Sequence, residues 1–254
     1  MTESDDATAR ADLQVHTEES DGMDDALTIL DAAHRRGVDI VAITDHDQTR
    51  GAQIARESAA RVDHPVEVIV GSEVTSRQGH ILALWIEEPI PFFRSAAATV
   101  EAIWQQGGVA VIAHPAAMFP PALKIGEIER LVQDLAPERK GEGAPVLAVE
   151  TANPIPFARR RRDGVIEANR RWSLPTTGGS DAHFHEQVGS AVTTFEGQGQ
   201  AALRAALETG ATATELRRYP RLSNIGPSRL LRQQWRGLSA TPKALLRRTL
   251  GPDG

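Results

Sequence analysis

A closed α/β barrel is the fold this sequence predicts, on three observations. Short apolar strands alternate with helical patterns along the chain, as in parallel βαβ units. About seven or eight such strands suit a closed barrel better than a small open sheet. The length, 254 residues, is usual for such a barrel in one domain. Hydrophobic residues form 41% of the chain, enough to fill that core.

The elements follow in order. Residues 1–10, "MTESDDATAR", read as a disordered acidic lead. "ADLQVH" is a strand, and "DDALTILDAAHRRG" a helix closed by Gly37. "VDIVAIT" is a strand and 49–61 a helix. "VEVIVGSEV" and "GHILALWI" are two strands separated by the turn residues "SRQG". A helix over 95–106 leads to the strand "GVAVIAHP". A helix over 124–135 precedes the strand "APVLAVE", and 157–171 is helical. "LPTTGGSD" and "GSAVTTFE" are strands, and 199–209 is a helix. The barrel therefore spans 11–219. Residues 220–254 are basic and helical without a strand, and form a C-terminal extension.

Composition narrows the function classes. Net charge is −6, which disfavours nonspecific nucleic-acid binding. No secretory leader is visible, and no apolar stretch reaches the ~20 residues a membrane span needs. Cysteine is absent, so any metal must be held by His, carboxylate or amide oxygen. These features lead us to expect a soluble cytoplasmic protein with no membrane partner.

Five of the eight histidines sit at strand ends or in turns beside them: His16, His46, His80, His114 and His183. Asp21, Asp45, Asp47, Glu73, Glu150 and Asp181 share those ends. In a parallel barrel the carboxyl ends of the strands converge on one face, so distant residues meet there. Each feature alone has a plain structural explanation. "TDHD" could cap a helix, and "AHP" could end a strand. Five such endings together predict a site for Zn²⁺, Mn²⁺ or Fe²⁺, which accept N and O ligands. A carboxylate can bridge two such ions about 3.5–4 Å apart. In "DLQVH", Gln14 and His16 are two apart on a strand and point to one face. Gln offers a neutral carbonyl oxygen, a weaker ligand for Zn²⁺ than imidazole.

"DLQVHT…SDG", "AITDHD", "GSEV", "GHILAL", "IAHP" and "GGSDAH" resemble, in order, the motifs of the PHP (polymerase and histidinol phosphatase) family, over residues 11–195. The resemblance implies a distorted seven-stranded, TIM-like (β/α) barrel holding two to three divalent metals. It also implies a phosphoesterase that uses a metal-activated hydroxide. Where the family usually shows His-x-His, this chain has Gln14 and His16. By the resemblance, Gln14, His16, Glu73 and Asp181 surround a first metal, with Glu73 bridging to a second. His80 and His114 complete the second; Asp21, His46 and His183 hold a third. Glu150 and Asn153, at the sixth strand end, support the ligands or touch substrate.

The expected reaction is hydrolysis of a small phosphorylated metabolite or nucleotide. His183, His185 or a metal-bound water would protonate the leaving alkoxide. Asp45 and Asp47 either orient His46 or cap the next helix. Arginine is the natural phosphate clamp, and "ARRRRDG" (158–164) is the densest run. A solvated helix face explains most of that run, with Arg159 the candidate substrate contact. In the tail, Trp235 lies amid Arg229, Arg232 and Arg236. A helical hairpin packed on the barrel, with Leu230, Leu231 and Trp235 buried, is preferred there over a nucleic-acid surface. Competing functions are a small exonuclease on oligonucleotide ends, amide hydrolysis in a related metal barrel, and a degenerate, non-catalytic regulatory module. Gln14 is the main support for the last.

Overall fold

The computed structural model describes residues 8–250, apart from 119, 120, 137, 140 and 142. β1 (Thr8–Val15), β2 (Ile40–Ile43) and β3 (Glu67–Thr75) alternate with α1 (Ala26–Arg35) and α2 (Arg50–Arg61). β4 (His80–Leu84), α3 (Ala96–Gln105), β5 (Val109–Ile112) and α4 (Ile125–Asp134) follow. Then come β6 (Leu147–Ala152), α5 (Pro156–Arg159), α6 (Arg162–Trp172) and β7 (Thr176–Gly178). β8 (Ala191–Glu196), α7 (Gly199–Thr209), β9 (Ala213–Leu216), α8 (Leu222–Ile225) and α9 (Pro227–Leu250) complete the chain. Among the described residues no helix is long and apolar enough to cross a membrane.

The strands form one sheet in the order β7-β6-β5-β4-β3-β2-β1-β8-β9. It curls into a nearly closed barrel. Thr193 Oγ1 joins β7 to β8 by accepting from Gly178 N at 2.8 Å and donating to Gly178 O at 3.1 Å. Gly178 permits this approach, since a Cβ there would lie 2.5 Å from Val192 O. Just past β7, His16 N donates to Ala182 O at 2.9 Å, tying that segment to the end of β1.

The expected barrel is thus present, but among the described residues its sheet has nine strands and is not uniformly parallel. β4 runs antiparallel to both β3 and β5, as the "SRQG" turn between adjacent strands requires. β8 and β9 add antiparallel pairs beside β1. β9 escaped the sequence reading because its residues are exposed or half-buried and carry no apolar alternation. The strand β1 starts at Thr8, and Thr8–Arg10 already pair with β8; residues 8–10 are therefore not part of a disordered lead. Residues 1–7 of that lead lie outside the described residues. The helix expected over 157–171 is broken at Arg160–Arg161 into α5 and α6.

Alternation along the strands sorts the core into layers. Ile40, Ala42, Ile69, Leu82, Leu84, Val109 and Val111 join Leu203 and Leu207 of α7 in one apolar cluster. Val41, Ile43, Val68 and Val70, one residue out of phase, pack with α1 and α2 instead. Val74, Ile81, Ile112 and Val149 pack with α3, α4 and α6. The helices start where their caps predict: Asp25 Oδ1 accepts from Thr28 N at 2.9 Å, and the Ser95 hydroxyl accepts from Ala98 N at 3.3 Å. With the apolar cluster below, polar side chains gather at one mouth.

Candidate metal centre

The register of β1 slips by one residue between Asp12 and Val15, where a β-bulge re-aims the chain. His16 follows it, fully buried. Asp21 lies in the loop to α1. His46 follows β2 and forms an isolated parallel bridge with Glu73, near the end of β3. His80 opens β4. Because β4 runs backwards, its first residue reaches the mouth where the parallel strands end. His114 follows β5, and Asp181 and His183 follow β7. His114 and Asp181 adopt φ of 28° and 52°, uncommon for non-glycine residues and typical of strained functional turns.

Glu73 is the centre of the arrangement. Its Oε1 lies 2.6 Å from His80 Nδ1 and 2.9 Å from His114 Nε2. Its Oε2 lies 3.1 Å from His16 Nε2 and 3.8 Å from His46 Nδ1. His16 Nε2 is also 3.3 Å from Asp181 Oδ1. Asp21 Oδ2 lies 3.0 Å from His183 Nε2 and 3.7 Å from His46 Nε2, and Asp21 Oδ1 lies 3.5 Å from His16 Nδ1. Three overlapping sets of ligand atoms result: His16, Asp21, His46 and His183; His46, Glu73 and His80; and His16, Glu73 and Asp181.

Charge governs these groups. Burial opposes ionisation of Glu73, but His80, His46, His114 and His16 outweigh it and hold the carboxyl well below its ordinary range. Asp21 is likewise held well below its usual value, burial being outweighed by His183, His46 and His16. Burial opposes charge on His16, yet Asp181, Glu73 and Asp21 hold it well above the ordinary imidazole value. The cluster is an anionic network that stabilises positive charge within it.

The donor set fits divalent cations. Both nitrogens of His16 and the Nδ1 atoms of His46, His80 and His114 are buried without an aligned hydrogen bond. Nitrogens and oxygens at 2.6–3.8 Å without hydrogen-bond alignment face one another as ligands of a shared ion do. Both polar atoms of the Gln14 amide are also buried and unpartnered. Gln14 sits beside Gly179, where a Cβ would lie 2.7 Å from Gln14 Cβ and 2.8 Å from Glu150 Oε1. The structure therefore gathers His16, Asp21, His46, Glu73, His80, His114, Asp181 and His183, with Gln14 at the Glu150 corner.

Other candidates have different positions. Glu150 is buried, and burial pushes its carboxyl well above the usual range. Its Oε2 accepts from His114 N at 2.7 Å and Asn153 Nδ2 at 2.9 Å. Asn153 Oδ1 also accepts from Ile155 N at 3.0 Å, so its amide braces Glu150 and the turn. Arg159 is exposed at the end of α5. Past the helix break it is Arg162 that turns inward, donating from Nε to Thr151 O at 3.0 Å. His185 is not brought to the cluster: its Nδ1 lies 3.1 Å from Asp24 and 3.5 Å from Glu186. The N-cap position of α2 is Thr49, and the carboxylates of Asp45 and Asp47 take other donors. Asp45 accepts from Thr17 N, Thr17 Oγ1 and Ser20 Oγ, fixing the Asp21 loop. Asp47 accepts from Thr75 N and Oγ1.

Sequence reasoning missed three supports. Buried Asp12 accepts from Ser180 N at 2.8 Å and Gly189 N at 2.7 Å, anchoring both ends of the segment carrying Asp181 and His183. Gln187 Oε1 accepts from His183 N and Phe184 N. The third is α9, which lies against the Asp21 loop with its polar face inward. Gln233 Nε2 is 3.5 Å from Asp21 Oδ2, and a Cβ at Gly237 would lie 3.4 Å from the same oxygen. Arg236 donates to the carbonyls of Glu18 and Ser20, and Arg229 to Asp24 and Glu186. The expected burial of Leu231 and Trp235 is reversed. They are 74% and 75% exposed, Leu238 is 77% exposed, and Leu230 is half-buried. Carbonyls and carboxylates of the loop recruit the arginines, so the apolar stripe faces out.

A barrel with His and carboxylate ligands interlocked around one buried carboxylate belongs to the class that holds divalent cations at its mouth. The sequence comparisons give the particular family. The profile of the PHP domain matches residues 12–114, and that of a PHP-associated region matches 160–212. An uncharacterised protein of Methanocaldococcus jannaschii is 35% identical over 117 residues, 42% of this chain and 67% of that protein. The phosphoribosyl 1,2-cyclic phosphate 1,2-diphosphodiesterase of Eggerthella lenta is 42% identical over 86 residues, 32% of each chain. A two-domain protein containing a predicted PHP-like metal-dependent phosphoesterase from Bacteroides vulgatus shares the fold at a TM-score of 0.67 and 20% identity, over 83% of this chain and 65% of that one. The chain belongs to the PHP family.

Proposed function

We propose that this protein is a metal-dependent phosphoesterase acting on a small phosphorylated metabolite or nucleotide. The observation that carries the reading is the position of Glu73. One of its oxygens faces His80 and His114, the other His16 and His46, which supports a bridging role. Two to three divalent ions, Zn²⁺, Mn²⁺ or Fe²⁺, would bring Lewis acidity and water activation. Gln14, His16, Glu73 and Asp181 would hold one; Glu73, His80 and His114 a second; Asp21, His46 and His183 a third.

The chain's own groups supply the rest. Asp21 and Glu73, held ionised, keep the imidazoles oriented. His183 is partly exposed at the mouth and serves there as a ligand with both ring nitrogens engaged, so water would give the proton to the leaving oxygen. Its ring is fixed by Asp21 at Nε2 and by the Asp181 carbonyl, 2.9 Å from Nδ1. Arg162, which lines a small cavity with Glu150 and Asn153, takes the place of Arg159 as the cation at the sixth strand end. The helix α9 beside Asp21 narrows the approach and favours a small substrate over a polymer.

The test is a panel on protein purified without chelators and supplied with Mn²⁺ or Zn²⁺. Nitrophenyl phosphate and mononucleotides should be hydrolysed, with amide substrates untouched and short oligonucleotides cleaved more slowly. Tight metal at less than one ion per chain, together with no hydrolysis after metal addition, would sink the catalytic reading in favour of a regulatory module. Faster cleavage of oligonucleotide ends would replace it with the exonuclease.

A further inference from the structure

A cavity of about 470 Å³ lies away from the metal centre, between the end of α1, the segment after β7 and the chain following β9. Its walls include Arg35, Arg36, Arg218, Arg221, His185 and Glu186. Four guanidinium groups around one cavity are unexpected in a chain of net charge −6. Among the described residues, those of Arg35, Arg218 and Arg221 form no ion pair or hydrogen bond within the protein. Arg36 is half-buried; it donates to Val188 O at 2.8 Å, which fixes its position. Burial and the neighbouring Arg217 guanidinium lower its affinity for its own proton. The one carboxylate lining the wall is already engaged by Arg229, which it shares with Asp24. Glu186 Oε1 lies 2.5 Å from Arg229 NH1, and Glu186 Oε2 lies 3.5 Å from His185 Nδ1.

Like charges on one wall repel one another, and three of the four guanidinium groups have no carboxylate partner among the described residues, while Asp12 acts on Arg36. An anion with several oxygens would relieve that repulsion, and guanidinium forks match phosphate oxygens two at a time. We propose that this cavity is a second binding site, taking a small anion with at least two phosphate groups, such as a nucleoside diphosphate. Its volume suits a ligand of that size. The site is separate from the metal centre, but the two share a segment. His183 faces Asp21, while His185 and Glu186, two and three residues on, face the cavity.

Inorganic pyrophosphate is the probe, titrated calorimetrically into intact protein stripped of metal with EDTA. Stripping the metals removes the cations that would draw phosphate to the metal centre, and the arginine variants below assign the remaining binding to the cavity. The outcome is thus independent of whether the protein hydrolyses phosphoesters. The expected result is saturable one-to-one binding that weakens with salt. The double variant Arg218→Glu, Arg221→Glu should lose at least tenfold in affinity. Both residues are exposed, so the fold should survive; circular dichroism checks this. The control Arg160→Glu, Arg161→Glu, exposed on another surface, should bind as the unaltered protein does. Absence of saturable binding, or equal loss in both double variants, would overturn the site. If a short DNA duplex binds there and pyrophosphate does not compete, the surface reads a nucleic-acid backbone and the small-anion assignment fails.

Discussion

The two sides of Glu73 are built differently. On the outer side, Asp21 sits with His46 and His183, whose side chains keep 14% and 18% of their exposure. That carboxylate is held ionised, and its loop is pinned by Asp45 and covered by α9. On the inner side, Gln14 and Glu150 are buried together. Burial pushes Glu150 toward its neutral form, and the nearby Asp181 and Glu73 charges push the same way. One side has an ionised carboxylate, imidazoles and a route to solvent. The other also has an ionised carboxylate, Asp181, but sets beside it a neutral amide and an acid that resists ionising. On the proposed ligand sets, cation-holding power is expected to be uneven across the cluster, with Gln14 on the weaker side.

The largest expected effect comes from removing what both sides share. Glu73→Gln should lower metal content on both sides and reduce phosphoesterase activity by more than about 10²-fold, since even outer-shell changes cost 10–100-fold. Elemental analysis with a kinetic assay checks it; retained metal with normal turnover would show that Glu73 does not bridge. Next comes the contrast itself. Asp21→Asn should weaken metal binding on the outer side by about 10–100-fold. Gln14→His should strengthen the inner side by a similar factor and leave the outer side alone. Chelator competition measures both, and an inert Gln14→His would remove Gln14 from the ligand set.

The smallest effect concerns Asp12, beneath both sides. Burial raises its carboxyl from 3.8 to about 6 despite bonds from Ser180, Gly189 and Gln14. The folded chain thus binds that proton more tightly than the unfolded one. Its contribution to stability is fully present below 3.8 and fades as pH rises through about 6. Asp12→Asn should flatten that slope. It should also cost about 1–3 kcal/mol, because the Gly189 or Ser180 N–H would face an amide N–H. Denaturant melts at pH 4, 5, 6 and 7 read both effects.

Much of this site could be read in the sequence, because its ligands sit where strands stop. His16, His46 and His114 each follow an apolar run, His183 follows a short strand and its glycine turn, and strand order alone brings such ends together. His80 was legible through the turn that reverses β4. What stayed hidden depends on local turns and on which face wins a contact. His185 is two residues from His183, yet the chain turns between them and sends it to Asp24. Arg159 and Arg162 are indistinguishable in a run of four arginines until the helix breaks. An amphipathic period shows that α9 has two faces and cannot say which meets the barrel. Carbonyls and carboxylates of the Asp21 loop decide that, and no residue within α9 announces them.

The seam between β1 and the segment after β7 has a consequence for how the barrel opens. Backbone pairing there is sparse: His16 N donates to Ala182 O, and Ala182 N donates weakly to Gln14 O at 3.4 Å. Across the same seam His16 faces Asp181 at 3.3 Å. An ion gripped by both would act as a clasp on the open edge of a sheet. Chelated protein should then breathe first at this line, with amides of residues 14–16 and 179–183 exchanging with solvent ahead of the rest of the barrel. Breathing there would uncover strand edges, the surfaces on which chains pair with one another. Metal depletion would thus show up first as clumping on storage.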